Sequence, residues 1–256
     1  MKIVVALKQV IARDSVLRLS ADARWVDETD AAYEINEADA YALEAGLQLK
    51  EKQGGEVIAL CAGPGRVSKA IREALAKGAD RAIHIALDQP EQLDSLATAR
   101  LLVEAVRQEG PDLVLTGLQS DDVGAGQTGV VAAELLGWPH VTLVVGIEPA
   151  GGGLRVRREL EGGWFQYVET PLPAVLTIQS GIARLRYATL MGIKRARSKE
   201  VRRIDARELL PQNETAAPIV RLREAEKTKQ TQILEGPPAE AAAKLVEKLK
   251  FEARVL

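Results

Sequence analysis

Short, unbroken apolar runs return again and again through the first two thirds of the chain, with room for a helix between most of them. The runs fall at 2–7, 56–61, 81–86, 112–117, 141–147 and 174–179. Strands that carry Val, Ile and Leu at consecutive positions, without alternation, belong to a parallel sheet covered on both faces. Between them, residues 36–52 place Ala38, Tyr41, Ala42, Ala45 and Leu49 on one side at helical spacing, with Asn36 as the expected N-cap. Further helices fit 66–77, 92–109 and 127–136, and glycines at 54–55, 78, 110 and 137 stop all four. This order predicts an α/β fold, a doubly wound and mostly parallel sheet with right-handed crossovers. Its ligand site is expected at the carboxyl ends of the strands.

The pattern changes twice. Residues 154–160 and 164–169, joined by Glu161-Gly162-Gly163, mix charged and apolar positions as a β-hairpin does, and read as an insertion without a second core. From 205 to 238 the periodicity gives way to polar, Pro-containing sequence, and 238–250 then forms one amphipathic helix bearing Leu245, Val246 and Leu249. Some thirty residues without structure are too many for an internal loop of a compact domain. The expected organisation is an α/β nucleotide-binding domain over 1–204 and an extended C-terminal arm over 205–256, ending in a helix, that packs on a partner; a disordered tail is the competing reading.

Composition removes whole classes of function. Apolar residues make up 46% and charged residues 27% of the 256, enough for an ordinary core. No apolar run reaches the roughly 18 residues of a membrane span, and Met1 leads into a strand without a signal-peptide pattern, so a cytoplasmic protein that is not membrane-inserted is expected. A net charge of −2, with three Trp, four Tyr and two Phe, disfavours nucleic acid. The one cysteine, Cys61, ends an apolar run and reads as a small buried hydrophobe. Neither His84 nor His140 stands in a nucleophile motif, and His84 alternates within a strand as a satisfied core histidine would. No catalytic residues and no metal site are expected; any reaction is carried by a cofactor or a partner.

Gly124-Ala125-Gly126-Gln127-Thr128-Gly129 spells G-x-G-x-x-G between a strand and a helix, with Glu148 about twenty residues on. The loop follows the fourth strand, not the first, and residues 118–123 separate strand from glycine, which counts against NAD and hydride transfer. A weaker claim survives: small residues and open N–H groups at the helix start suit a phosphate, with Gln127 and Thr128 as side-chain donors. A connection without a ligand is the competing reading. Asp121-Asp122 just upstream reads as a turn and not as a metal site. No G-x-x-x-x-G-K-[ST] is present, so a bound nucleotide is held and not hydrolysed.

Three segments together resemble the beta subunit of electron-transfer flavoprotein. They are Asn36-Glu37-Ala38-Asp39-Ala40 with the helix ending Leu49-Lys50-Glu51, residues 112–122 running through Gln127-Thr128-Gly129 to Gly137-Trp138-Pro139, and 172–175 through Arg186-Tyr187-Ala188-Thr189-Leu190; residues 76–84 look like the family's helix-to-strand junction. The resemblance implies an adenine-nucleotide-binding type of fold and a heterodimer. In it the alpha subunit holds most of a redox-active FAD, and the beta subunit holds a structural AMP. Electrons arrive from flavoprotein dehydrogenases, such as the acyl-CoA dehydrogenases of fatty acid oxidation, and leave to a membrane-bound quinone oxidoreductase. Carried over by position, the AMP site is Ala6, Asn36, Glu37, Ala38, Asp39, Ala62, Asp122, Val123, Gly124, Ala125, Gly126, Gln127, Thr128 and Gly129. The family loop usually runs from an acidic triplet to Asn-Gln-Thr-Gly, whereas here residues 123–126 intervene. Arg13 stands where many members have an aromatic near the flavin, so that contact is not carried over.

Residues 184–203 hold eight Lys/Arg against Glu200. Read alone, such a run is a solvated face or a nucleic-acid patch. The resemblance implies a recognition loop over 184–197 that docks on partner dehydrogenases through Leu190 beside Tyr187, with Lys194, Arg195 and Arg197 steering acidic surfaces; Leu190 in the core is the competing reading. Two other functions stay open. One is the electron-bifurcating branch of the family, with a second FAD in place of AMP, against which Gln127-Thr128-Gly129 speaks. The other is a stand-alone adenine-nucleotide-binding protein.

Overall fold

The computed structural model describes residues 1–212, 214–224 and 231–255. The elements run β1 (Lys2–Leu7), β2 (Gln9–Ile11), β3 (Tyr33–Ile35), α1 (Glu37–Gln53), β4 (Glu56–Gly63), α2 (Ser68–Lys77), β5 (Arg81–Ala86), α3 (Ser95–Glu109) and β6 (Leu113–Gly117). They continue with α4 (Thr128–Leu136), β7 (His140–Ala150), β8 (Gly153–Glu159), β9 (Phe165–Thr170), β10 (Ala174–Ile178), α5 (Leu190–Ala196), β11 (Val201–Asp205), α6 (Ala206–Leu209) and α7 (Pro238–Phe251).

One sheet has the order β11-β5-β4-β1-β6-β10-β7-β8-β9, and β2 pairs with β3 in a separate ribbon. Neighbours from β11 to β7 are parallel, with β1 in register on β4 from Lys2↔Glu56 to Leu7↔Cys61. Strand β1 explains the consecutive apolar residues. Ile3, Val5 and Leu7 join a buried cluster with Leu43 and Leu47 of α1 and Ile71 and Leu75 of α2. Val4 and Ala6, pointing the other way, join Leu101 and Val106 of α3 and Ala133 of α4. Helices therefore cover both faces, and each fully buried Ile or Leu contributes roughly 2 kcal/mol. From β1 the chain winds outward through β4 to β5, then returns to the other side at β6. The order reverses between β1 and β6, where a doubly wound sheet opens a crevice.

The predicted hairpin extends this same sheet. Strands β8 and β9 are antiparallel to their neighbours, so β7, β8 and β9 form a meander, and Leu154 and Val156 enter the main core. Strand β11 lies parallel to β5 at the opposite end, where it overlaps the last residues of the basic run. Asn36 stands at the N-cap of α1 but makes no side-chain cap bond, because its amide is engaged elsewhere. Cys61 is buried, and burial pushes its thiol up to about 12. His84 is buried in β5 with Nε2 2.8 Å from the Gly63 carbonyl, which accepts its proton.

The chain divides into two compact units, 1–222 and 223–256. Residues 206–222, expected in the arm, belong to the first. There Thr215 Oγ1 donates to Gln92 O at 2.7 Å, and the N–H groups of Ala216 and Ala217 donate to Asp94, which also caps α3. In the second unit α7 starts at Pro238 and carries Leu245, Val246 and Phe251 exposed. Residues 213, 225–230 and 256 of the expected arm lie outside the described residues.

Candidate functional site

A cavity of about 430 Å³ opens where the strand order reverses. Ala6, Leu7 and Lys8 reach it from β1 and the residue beyond, Ala62 from β4, and Thr116 and Gly117 from β6. The start of α1, the loop after β6, the start of α4, the segments after β4 and β5, α3, and Ala217 and Ile219 add to the wall.

The first turn of α1 holds this crevice together. Asp39 is buried with both oxygens occupied: Oδ2 accepts the Lys8 N–H at 2.7 Å and Oδ1 the Gly117 N–H at 2.8 Å. One carboxylate thus bridges the carboxyl ends of β1 and β6. Burial pushes it up to about 6, against the pull of those N–H groups. Gly117 is required there, since a Cβ would stand 2.8 Å from both Ala38 Cβ and Asp39 N. Asn36 ties down the loop instead of its own helix. Its Nδ2 donates to Gln119 O at 2.9 Å and its Oδ1 accepts the Asp121 N–H at 2.9 Å.

Gly124 and Gly126 both take φ of +65°, which lets the loop double back before α4. Gly129 lies so close to the sheet that a Cβ would meet Thr116 Oγ1 at 2.5 Å and Thr177 Cγ2 at 2.6 Å. At the N-cap of α4, Gln127 makes no side-chain cap bond, and the first turn carries no acid. Its leading N–H groups have no partner within the helix and lie at the cavity, an arrangement that accepts an anion. Asp122 does not oppose this. Lys8 Nζ contacts its Oδ1 at 2.7 Å, and although burial pushes the carboxyl up, Lys8 together with the Ser120 hydroxyl and the Val123 N–H outweighs that and holds it below its ordinary value. Asp121 receives Arg13 at 3.3 Å and the Glu37 N–H at 3.2 Å. Among the described residues no group of three His, Cys, Asp or Glu side chains could hold a metal ion.

Of the residues expected at a cofactor, Ala6, Asn36, Asp39, Ala62, Asp122, Val123, Ala125, Gly126, Gln127, Thr128 and Gly129 line the cavity. Glu37, Ala38 and Gly124 are not in its wall. Glu37 pairs with Arg13, Ala38 is buried under Gly117, and Gly124 donates its N–H to Ser120 O at 2.9 Å. Lys8 and Arg66 are cations of the wall that sequence reasoning passes over. Lys8 was within reach, being the first residue beyond β1. Arg66 was not: Gln9 Oε1 at 2.9 Å and the Tyr33 ring at 4.0 Å fix it across the fold.

A second arrangement is built on α5. Thr189 caps it, its Oγ1 accepting the Gly192 N–H at 3.0 Å, and Gly192 packs against Ala76 O of α2 too closely for any side chain. Lys199 Nζ donates to Leu75 O and Ala79 O at the end of α2. The helix is thus fixed, while Leu190 is 86% exposed and Tyr187 91%. That removes the core reading of Leu190. Lys194, Arg195 and Arg197 are exposed and take part in no ion pair among the described residues.

Upstream, Arg186 clamps the approach to this helix. Its Nε and Nη2 reach the two oxygens of Glu44 at 2.8 and 3.0 Å, and its Nη1 and Nη2 reach Glu51 at 2.6 and 3.2 Å. No helix among the described residues is long and apolar enough to cross a membrane.

Comparison with known proteins agrees with this architecture. The family described as "Electron transfer flavoprotein domain" matches residues 24–209. The chain is 39% identical over 257 residues to the electron transfer flavoprotein subunit beta of Methylophilus methylotrophus, covering 96% of this chain and 97% of that one. It is 33% identical over 235 residues to the Bacillus subtilis protein of the same name, covering 90% and 91%. With the human subunit beta it shares 36% over 204 residues, covering 78% and 80%.

Proposed function

The chain belongs to the electron transfer flavoprotein family as a beta subunit, and from that premise we propose that it holds AMP at the strand-order reversal while a dehydrogenase docks on α5. Beta subunits of this family serve electron transfer as carriers and imply an alpha-subunit partner. In the proposed complex FAD is held mainly by the alpha subunit, accepts electrons from flavoprotein dehydrogenases and passes them to a membrane-bound quinone oxidoreductase. When bound, FAD supplies the redox chemistry. This chain's own residues bind and position.

The observation that carries the AMP reading is the uncapped start of α4 at the cavity. The open N–H groups there suit one phosphate, Gln127 and Thr128 lie beside them, and Lys8 pairs with Asp122, the acid of the wall that lies in this same loop. Small and apolar residues, Ala6, Ala62 and Leu101, leave space for a flat base. A nucleotide held there is retained unchanged and stabilises the fold by mass action. Docking is carried by Leu190 on a fixed helix and by Tyr187 just before it, with Lys194, Arg195 and Arg197 steering an acidic surface.

The test is to denature the purified complex and chromatograph what it releases. AMP in about a 1:1 ratio to FAD supports the reading. A second FAD in place of AMP would move the chain to the bifurcating branch, and no nucleotide besides the single FAD would refute the assignment of the cavity.

A further inference from the structure

The end of the sheet away from α5 carries a cluster of cations that this function does not use. Register places Arg155 and Arg157 of β8 on the same face as Tyr167 and Phe165 of β9. The Arg155 guanidinium lies 4.5 Å from the Tyr167 ring, and that of Arg157 lies 5.0 Å from Phe165. With Lys52 and Gln48 of α1 and Glu148 of β7, both arginines line a cavity of about 280 Å³. Neither Lys52, Arg155 nor Arg157 takes part in an ion pair among the described residues, although Glu148 and Glu169 stand directly across from Arg155 in register. The adjoining Arg158 points to the other face. Its Nη2 donates to Thr142 Oγ1 at 3.0 Å, while its Nε is buried with no acceptor.

We propose that this face of β8 and β9 receives an acidic segment of the alpha subunit, with Arg155 and Arg157 as its two anchors. Three cations around one cavity, with Glu148 as the acid in its wall, call for carboxylates from outside. Guanidiniums stacked on aromatic rings are held in place before binding, so little side-chain freedom is lost when a carboxylate arrives. Arginine with exposed Tyr and Phe is also the composition of binding hot spots, and Trp164, 73% exposed, extends it at the hairpin turn. The strands of this surface stand apart from α5. That helix packs on α2, which covers β4 and β5, and β8 lies six strand spacings from β5, roughly 30 Å away.

The proposal rests on the chain acting as a beta subunit, and its test separates the two. The full chain is titrated with its alpha subunit, as wild type and as Arg155→Gln/Arg157→Gln and Arg155→Glu/Arg157→Glu, with each chain's melting temperature recorded. Both arginines are exposed, so the variants should melt close to wild type. The neutral pair should weaken association at least about tenfold and flatten its salt dependence, and the reversed pair should weaken it further. Lys194→Gln at the other end should leave association unchanged. Association within twofold of wild type for the reversed pair would overturn this proposal while leaving the function intact. A wild-type chain that binds no alpha subunit would overturn both.

Discussion

Replacing Arg186 with leucine isolates the clamp between α1 and the approach to α5. The Glu44 side chain is 6% exposed and both its oxygens accept from Arg186, whereas the Glu51 side chain is 58% exposed. Burial pushes the Glu44 carboxyl up, but the bonds from Arg186, helped by the Gln48 amide, outweigh it and hold the group below its ordinary value. Arg186→Leu strands that carboxylate out of water, which costs about 3–5 kcal/mol. For a unit of this size the melting temperature should fall by about 6–20 °C. Glu51→Gln, on the exposed side, should cost no more than about 1 kcal/mol. Arg186→Leu/Glu44→Leu removes both charges and should recover most of the loss, since a buried pair is worth little against apolar residues of similar size.

The pH dependence has a definite sign. A lowered folded-state value means that Glu44 adds stability above its unfolded value, and that this is lost as pH falls through the folded one. In Arg186→Leu only the Gln48 amide is left to oppose burial, so Glu44 protonates more readily and the gap to wild type should close toward pH 4. Calorimetry of the four proteins between pH 4 and 8 is the assay. The reasoning fails if Arg186→Leu melts within 2 °C of wild type, or if the double variant melts no higher than Arg186→Leu.

Other expectations follow from the same geometry. Asp39, raised to about 6 against an ordinary 3.8, contributes stability that is present below its unfolded value and lost as pH rises through about 6, roughly 3 kcal/mol in all; in Asp39→Asn denaturant titrations should lack this component, and superimposable pH profiles would contradict it. Gly129→Ala drives a methyl onto Thr116 and Thr177 and should cost about 1–3 kcal/mol while lowering the nucleotide content of the purified complex; unchanged melting and content would show that α4 yields. Leu190→Ala should melt like wild type, because its side chain is exposed, yet raise the apparent KM for the complex as electron acceptor about tenfold; an unaltered KM would take the anchor away from this residue.

The parallel strands are legible in the sequence because both their faces are buried, so each writes an unbroken apolar run. Strand β11 is not, for the opposite reason: at the sheet edge only Ile204 of Val201–Asp205 is buried, and the rest reads as charged loop. Helix α5 hides in the same run, since its seven residues are fixed by Thr189 and by contact with α2 and not by an apolar stripe. At the site the glycine loop announces itself through its punctuation and its place after a strand. The work of Asp39 does not, because nothing local says that a carboxylate in a first helical turn will join N–H groups at positions 8 and 117. Arg186 and Glu44 lie 142 residues apart, a distance over which only the completed fold brings them together.

Cys61 makes the molecule a blank slate for thiol chemistry. It is the one sulfhydryl in the chain, sealed in β4 beside other buried side chains, and burial keeps it protonated at any pH where labelling reagents are used. A cysteine introduced at an exposed position should therefore react alone, with no need to remove a native one. A fluorophore or spin label at Met191 would report on the α5 end of the molecule, and one at Trp164 on the hairpin end, each in an otherwise unaltered protein.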